Sequence, residues 1–279
     1  MKKKDKYILS IIICCYNSAK FIDKTIKSLK NLDSNNIEVV FVNDGSTDNT
    51  KEKLASHSKR KNFKIINQVN KGLAECRNVA INNSSAEWIT ILDHDDLFTH
   101  DRIIFCNNFI INLNHFDNKK IYFANCHIVK YDETILRFND NHPIKKNKIN
   151  LNKKYCYYEL LKYGCFLVSS TVLFNRNIFN QIGPFNKNFQ ITCDFDFFIR
   201  SSIYYDFEYI DKIFCEWIES STQLTSKKNI ILYDELINIY HREIIKKSLL
   251  IHKYFFIYKN FIKYHLKKLI IKIHNAIRS

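Results

Sequence analysis

Four apolar segments near the N-terminus alternate with segments of helical spacing, and this alternation constrains the fold more than any other feature. Each segment is a short apolar run rich in β-branched residues, which is typical of a strand buried on both faces. Strands that alternate with helices form parallel sheets covered by helices on both faces. We therefore predict an α/β protein whose first strands are Tyr7–Cys15, Ile37–Val42, Phe63–Asn67 and Trp88–Leu92.

The length and the apolar content are sufficient for a large core. The chain has 279 residues, of which 46% are hydrophobic, so global disorder and a collagen-like chain are excluded. No apolar run approaches the roughly 18 residues of a membrane span, and the N-terminus does not resemble a signal peptide, so we expect a cytoplasmic protein. The nine cysteines show no CxxC spacing and are expected to be reduced thiols rather than metal ligands.

The chain is strongly basic, and much of the positive charge lies near the C-terminus. The formal net charge is +15, and residues 227–279 carry twelve Lys or Arg against three Asp or Glu. From Ile230 onward, apolar and aromatic residues recur at helical spacing between lysines, which is typical of a basic amphipathic helix at a membrane surface. In the alternatives, the aromatic stripe packs on the protein or on a second subunit, or the basic charge binds nucleic acid. We predict a domain over residues 1–226 and a basic helical extension over residues 227–279.

Three carboxylates follow the fourth predicted strand in the segment Asp93-His94-Asp95-Asp96. Carboxylates this close repel one another, and a divalent cation removes that cost. Mg²⁺ and Mn²⁺ commonly bind through one or two carboxylates together with substrate phosphates. The alternative is a solvated acidic turn that caps the next helix. Because parallel sheets bind ligands at the carboxyl ends of their strands, the position favours a metal site.

Three further side chains are predicted at the same edge of the sheet. Asp44 follows the second strand and can accept hydrogen bonds from a nucleoside, while Tyr16 follows the first strand and has an aromatic face that can cover a base. Arg77 lies on the helix after the third strand and can reach a phosphate or a base edge. Without a ligand, these residues would be a plain Asp-Gly turn, a half-buried tyrosine and a solvated helix face.

Four segments in this order resemble family 2 glycosyltransferases of the GT-A fold. They are SIIICCYNSAKFIDKTIKSL, VVFVNDGSTDNT, NKGLAECRNVAINNSSAEWITILDHDD and IGPFNKNFQITCDFDFFIR. The resemblance is close over Leu9–Asp96 and looser over Gly164–Arg200. It implies a Rossmann-like, mostly parallel sheet flanked by helices, here with a C-terminal helical extension. It also implies a nucleotide-sugar donor, a divalent metal and, usually, inversion at the anomeric carbon.

The resemblance implies a donor-binding role for five positions. Tyr16 and Asp44 match the pair that contacts the base, and Cys15 stands beside them at the end of the first strand. Arg77 matches the arginine of the family's Ala-Arg-Asn segment. Asp93 matches the first acid of the Asp-x-Asp motif, which contacts the ribose.

The resemblance also implies a metal ligand and a catalytic base. Asp95 matches the ligand that connects Mn²⁺ or Mg²⁺ to the diphosphate. Asp194 matches the acid that takes the proton of the acceptor hydroxyl, and we expect it to lie across the cleft from Asp95. The chain departs from the family at Cys193, where Glu is common, and at Glu216–Glu219, where an Arg-x-His segment is common.

These observations predict a metal-dependent, inverting glycosyltransferase. We expect it to move a sugar from a UDP-sugar to a glycan or lipid-linked acceptor in surface polysaccharide or lipooligosaccharide synthesis, at the inner face of the cytoplasmic membrane. Residues 1–100 are predicted to form the donor half and residues 101–226 the acceptor half. The alternatives are a nucleotide-sugar-binding module that has lost turnover and a basic nucleic-acid-binding protein.

Overall fold

The computed structural model describes residues 7–130, 135–137, 152–219, 230–247 and 255–278, and these residues form one sheet of nine strands with helices packed on it. The strands are β1 (Leu9–Cys15), β2 (Ile37–Asp44), β3 (Phe63–Gln68), β4 (Trp88–Ile91), β5 (Leu97–Phe98), β6 (Lys120–Val129), β7 (Ile135–Arg137), β8 (Leu173–Asn175) and β9 (Asp206–Ile218). The helices are α1 (Ile22–Ser28), α2 (Thr50–Ser56), α3 (Leu73–Asn83), α4 (His100–Ile111), α5 (Lys153–Tyr163), α6 (Ile178–Ile182), α7 (Cys193–Ser201), α8 (Ile230–Lys247) and α9 (Phe255–Arg278).

The N-terminal half of the sheet is parallel, as the sequence predicts. The strands lie in the order β3-β2-β1-β4, and each neighbouring pair is parallel. Every residue of β1 and β2 is buried, which explains their continuous apolar sequence. The helices α1, α2 and α3 connect successive strands, so all four strands have their carboxyl ends at the same edge.

The C-terminal half of the sheet is mixed. The strand β8 pairs antiparallel with both β4 and β6, while β6 pairs parallel with β9. The short strand β5 pairs antiparallel with the end of β9, where Leu97 lies opposite Glu216. The acidic segment Asp93–Asp96 therefore connects β4 in the middle of the strand order with β5 at its end. This connection places the acidic segment between the N-terminal half of the sheet and the strands β5 and β9.

Alternate residues of the central strands enter two separate cores. Ile11 of β1 and Val39 of β2 face one core, which includes residues of α1 and α4. Their neighbours Ile12 and Val40 face the other core, which includes residues of α3, α5 and α7. The sheet is thus covered on both faces, and the predicted α/β fold is confirmed, with a parallel N-terminal half and a mixed C-terminal half.

The C-terminal helices pack on the second of these cores. Ile239 and Tyr240 of α8 and Ile257 of α9 are fully buried in it, and the Tyr240 hydroxyl donates to the carbonyl of Leu161 in α5 at 2.9 Å. The predicted alternative in which this segment packs on the protein is therefore realised on the inner faces of both helices. The predicted boundary at residue 226 lies outside the described residues and stays a prediction. No helix in the described ranges combines the length and apolar character of a membrane span.

Candidate active site

The carboxyl ends of β1, β2 and β4 meet at one edge of the sheet, and the predicted site residues follow them. Cys15 at the end of β1 lies beside Asn43 of β2, and Asp44 is the next residue of β2. On the other side of β1, Ile12 lies beside Ile91 of β4, two residues before Asp93. The structure therefore places the three predicted segments at the same edge.

Asp44 is buried, and its carboxylate holds the loop that precedes α3. One oxygen accepts from the backbone N–H of Lys71 and the side chain of Gln68, at 2.9 and 2.6 Å, and the other accepts from the N–H of Gly72 at 2.9 Å. Gly45 beside it has a φ of 70°, and a Cβ there would lie 2.5 Å from the backbone nitrogen of Asn70. The Asp-Gly turn is thus a tight junction between two loops, and a contact between Asp44 and a base stays a prediction.

Tyr16 and Cys15 have opposite environments although they are adjacent. The Tyr16 side chain is among the exposed aromatic residues, at 47% of its full area, whereas Cys15 is buried. Burial raises the pKa of the Cys15 thiol well above its ordinary value, so the thiol stays neutral. The next residue, Asn17, is left-handed with a φ of 48°, and its side chain accepts from the N–H of Thr47 at 2.8 Å. This link fixes the backbone that presents the Tyr16 ring to solvent.

Arg77 is buried at the centre of the site, which contradicts the alternative of a solvated helix face. Its side chain is 1% exposed and donates to Asp93 at 2.9 Å from one nitrogen and to Asp194 from another. Burial lowers the pKa of Arg77, but the charge of Asp93 and smaller contributions from neighbouring groups together outweigh burial and raise this pKa above its ordinary value, so the guanidinium stays charged. Asp93 and Asp194 are therefore both paired with the guanidinium group of Arg77. The predicted contact between Arg77 and the donor stays a prediction.

The acidic segment is supported from the opposite half of the sheet by Ser170. The N–H of Asp93 donates to the Ser170 hydroxyl at 3.0 Å, and that hydroxyl donates to Asp96 at 2.5 Å. Asp96 is fully buried, and its second carboxylate oxygen has no hydrogen-bond partner among the described residues. Ser170 lies 77 positions from Asp93, and no local sequence pattern connects it with the acidic segment.

The carboxylates of this segment are poorly neutralised by the protein. Burial raises the pKa of Asp95, and the charge of Asp93 adds to this rise while His94 opposes it. Burial and the charge of Asp93 also raise the pKa of Asp96 well above its ordinary value, against the hydrogen bond from Ser170. A divalent cation with oxygen ligands would relieve this arrangement, so these residues fit such an ion.

The acidic segment suits a cation that is held partly by the protein and partly by a bound phosphate. In the described part of the chain, no three His, Cys, Asp or Glu side chains are grouped so that they could hold a metal. Mg²⁺ and Mn²⁺ sites that serve phosphates commonly use one or two carboxylates and take the remaining oxygens from phosphate and water. The role of Asp95 as the ligand of such an ion stays a prediction.

Asp194 is the second residue of α7, and its side chain is 22% exposed. One of its carboxylate oxygens is the partner of Arg77, so Asp194 and Asp93 approach the same guanidinium from different halves of the sheet. Cys193 before it is fully buried, and burial raises the pKa of its thiol. A neutral thiol therefore occupies the position where the family commonly has Glu.

The comparisons of sequence agree with this geometry. The family model described as Glycosyl transferase family 2 matches residues 10–183. An uncharacterized glycosyltransferase of Rickettsia typhi is 27% identical over 252 residues, which are 88% of this chain and 75% of that protein. A poly-beta-1,6-N-acetyl-D-glucosamine synthase of Staphylococcus epidermidis is 33% identical over 94 residues, which are 33% of this chain and 23% of that protein.

The comparisons of structure lead to the same fold. The crystal structure of residues 1–349 of S. aureus TarS in complex with UDP-GlcNAc matches 85% of this chain and 66% of its own length, with a TM-score of 0.63 and 20% identity. The same TarS fragment in complex with UDP matches 85% of this chain and 65% of its own length, with a TM-score of 0.61 and 20% identity. The chain thus spans about two thirds of that fragment, and the likeness confirms the predicted GT-A fold.

Proposed function

The chain belongs to glycosyl transferase family 2 and is a glycosyltransferase, and we propose that it transfers a sugar from a UDP-sugar to a hydroxyl group of a glycan or lipid-linked acceptor in surface polysaccharide or lipooligosaccharide synthesis. The observation that carries the proposal is the ion-pair cluster in which Arg77 joins Asp93, after β4, to Asp194 of α7. The UDP and UDP-GlcNAc complexes of TarS support the donor class, and the polysaccharide synthase of S. epidermidis supports the product class.

The donor binds along the edge formed by β1, β2 and β4. The exposed ring of Tyr16 covers the base, beside the loop that Asp44 holds. The carboxylate of Asp93 is partly exposed and retains acceptor capacity for a ribose hydroxyl beyond its bond to Arg77. Asp95 would hold Mn²⁺ or Mg²⁺, and a bound cation would supply charge neutralisation for the departing diphosphate.

Asp194 takes the proton of the acceptor. Its ion pair with Arg77 favours the charged carboxylate, which is the form that a base requires. The acceptor oxygen forms a bond to the anomeric carbon as the bond from that carbon to UDP breaks, and the hydroxyl proton passes to Asp194. Attack from the face opposite the leaving group inverts the anomeric carbon.

The test measures release of UDP from a panel of UDP-sugars with Mn²⁺ and water as the acceptor. We expect Asp194→Asn to lower turnover by about 10²-fold or more, while the affinity for UDP changes by less than about twofold. Asp211→Asn, on the exposed part of β9, is the control and should leave both unchanged. Binding of UDP without turnover by the native chain would identify the module that has lost turnover, and absence of UDP binding would contradict the donor site.

The outer face of α9 supports association with the cytoplasmic membrane surface. Five apolar side chains on this face are each more than half exposed, and they are Ile262, Leu266, Leu269, Ile270 and Ile273. Exposed lysines interleave with them at Lys259, Lys263, Lys267 and Lys272. An apolar stripe flanked by lysines fits the surface of an anionic bilayer, to which each lysine contributes about 1 kcal/mol.

Sedimentation of the full chain with phosphatidylcholine vesicles, with and without phosphatidylglycerol, tests this association. We expect sedimentation only with the anionic lipid, and we expect the double variant Leu266→Ser, Ile270→Ser to abolish it. The matched control is Ile111→Ser on α4, which is 80% exposed and lies outside α9. Equal sedimentation of the double variant and the native chain would contradict a membrane role for this face.

A further inference from the structure

A buried carboxylate of α8 binds the segment that leads into α7. Glu235 is 5% exposed, and its oxygens accept from the backbone N–H groups of Gln190, Ile191 and Thr192 at 2.6, 3.0 and 2.8 Å. The hydroxyl of Thr192 donates to the same carboxylate at 2.9 Å. Four donors from three consecutive residues therefore converge on one side chain that is more than 40 positions away.

This contact replaces the usual cap of a helix. Thr192 stands at the N-cap of α7 but does not cap it, because its hydroxyl is directed to Glu235. The N–H groups of Ile191 and Thr192 bond to Glu235 in a buried environment, where they would otherwise lack partners. The carboxylate also places negative charge at the N-terminal end of α7, where the helix dipole favours it. Glu235 thus fixes where α7 begins.

A second contact from α8 holds the first turn of α7 at Asp196. Arg242 donates to the fully buried Asp196, which also accepts from Arg200 at 2.8 Å. Glu243 beside Arg242 accepts from the Tyr157 hydroxyl of α5 at 2.7 Å. The first turn of α7 is therefore bound to α8 at both Thr192 and Asp196, and Asp194 lies between these two points.

We propose that Glu235 is a positioning residue for the transfer reaction, which holds Asp194 in place through the start of α7. This inference rests on the proposed function, in which Asp194 is the base. Asp194 lies two residues after Thr192, so a shift of the helix start moves its carboxylate relative to Arg77 and to the acceptor. The C-terminal segment is accordingly part of the catalytic unit, although the sequence suggests a separate basic extension.

The experiment compares Glu235→Gln and Glu235→Ala with a matched control, Glu243→Gln. Glu243 is also buried on the same helix and loses the same charge, but its carboxylate is bound by Tyr157, Arg242 and Lys246 rather than by residues 190–192. UDP release from UDP-GlcNAc, or from whichever UDP-sugar the native chain turns over, is measured with Mn²⁺ at a temperature where all variants are folded. We expect kcat to fall about tenfold in Glu235→Gln and further in Glu235→Ala. KM and the affinity for UDP should change by less than about twofold in both variants.

Two outcomes would overturn the proposal. The first is a loss of kcat in Glu243→Gln as large as in Glu235→Gln, because the effect would then follow from general destabilisation of α8. The second is unchanged kcat in Glu235→Ala.

A separate readout distinguishes this inference from the proposed function. Amide hydrogen exchange of residues 190–196 should accelerate in both Glu235 variants and not in Glu243→Gln. A native chain that shows this exchange pattern but turns over no UDP-sugar would contradict the proposed function and retain the ordering role of Glu235. Unchanged exchange in Glu235→Ala would contradict the ordering role itself, whatever the turnover.

Discussion

Two acidic segments of this protein share the pattern Asp-x-Asp but are neutralised in different ways. In α7, Asp196 is fully buried between Arg200 and Arg242, so the protein supplies two cations to one carboxylate. In the segment after β4, neither Asp95 nor Asp96 forms an ion pair with a Lys, Arg or His of the described residues. Only the first acid of each pattern, Asp93 or Asp194, meets Arg77.

The two segments differ in how far the protein itself neutralises their carboxylates. A carboxylate that is paired with arginines contributes to the fold and does not require a metal to neutralise its charge. A buried carboxylate without such a partner has a raised pKa, as Asp95 and Asp96 have, and a bound divalent ion would stabilise its charged form. Within the described part of the chain, the same sequence pattern therefore includes an arginine-paired acid in α7 and unpaired acids after β4, where we propose that a cation binds.

The largest stability effect is expected at Asp196. Asp196→Asn leaves the guanidinium groups of Arg200 and Arg242 without their common anion, so the free energy of unfolding should fall by about 3 kcal/mol. Denaturant titration of the full chain measures this fall, with Asp211→Asn on the exposed part of β9 as the control. A stability equal to that of the native chain would mean that the arginines do not depend on Asp196.

A smaller effect is expected at Ser170, which supports the acidic segment. Ser170→Ala removes the acceptor of the Asp93 N–H and the donor to Asp96, and should cost about 1–3 kcal/mol of unfolding free energy. Ser202→Ala is the matched control, because Ser202 is also buried but its hydroxyl donates to the nearby carbonyl of Ile199 in α7. A fall in the free energy of unfolding in Ser202→Ala as large as that in Ser170→Ala would contradict a specific role of Ser170 in supporting the acidic segment.

The smallest effect is expected at Asp96 and depends on pH. Because its pKa is raised in the folded state, Asp96 contributes stability at pH values below its unfolded pKa and loses that contribution as pH rises. Asp96→Asn should therefore raise the melting temperature relative to the native chain at pH 7.5, and the gain should vanish near pH 4. Thermal unfolding in EDTA at both pH values measures the difference. A gain of the same size at both values would contradict a raised pKa.

The parallel half of the sheet could be predicted because its strands are continuous apolar runs that need no distant partner to be recognised. The pairing in the mixed half could not be predicted, because β6 pairs with β9 across more than 80 positions and with β8 across more than 50, and no local pattern encodes such pairs. The prediction of a basic helical extension at the C-terminus was likewise incomplete. Glu235 and Glu243 look like solvated charges on an amphipathic helix until the packing of α8 shows what they bind.

The candidate site followed the same division. Asp93 and Asp95 were predicted because they directly follow a buried strand, and Arg77 was singled out through its segment. The sequence did not reveal that Arg77 joins Asp93 to Asp194, since this bond spans 117 positions between α3 and α7. Which acids are neutralised by arginines and which are left for a cation depends on such distant contacts.

The most direct test of this account is a calorimetric titration of UDP into the full chain with Mn²⁺ and with EDTA, repeated on Asp95→Asn. We predict that Mn²⁺ tightens UDP binding by about tenfold or more in the native chain and has no such effect in Asp95→Asn. Equal affinity of the native chain in Mn²⁺ and EDTA, or full dependence on Mn²⁺ in the variant, would contradict the proposal that the segment after β4 is the cation site.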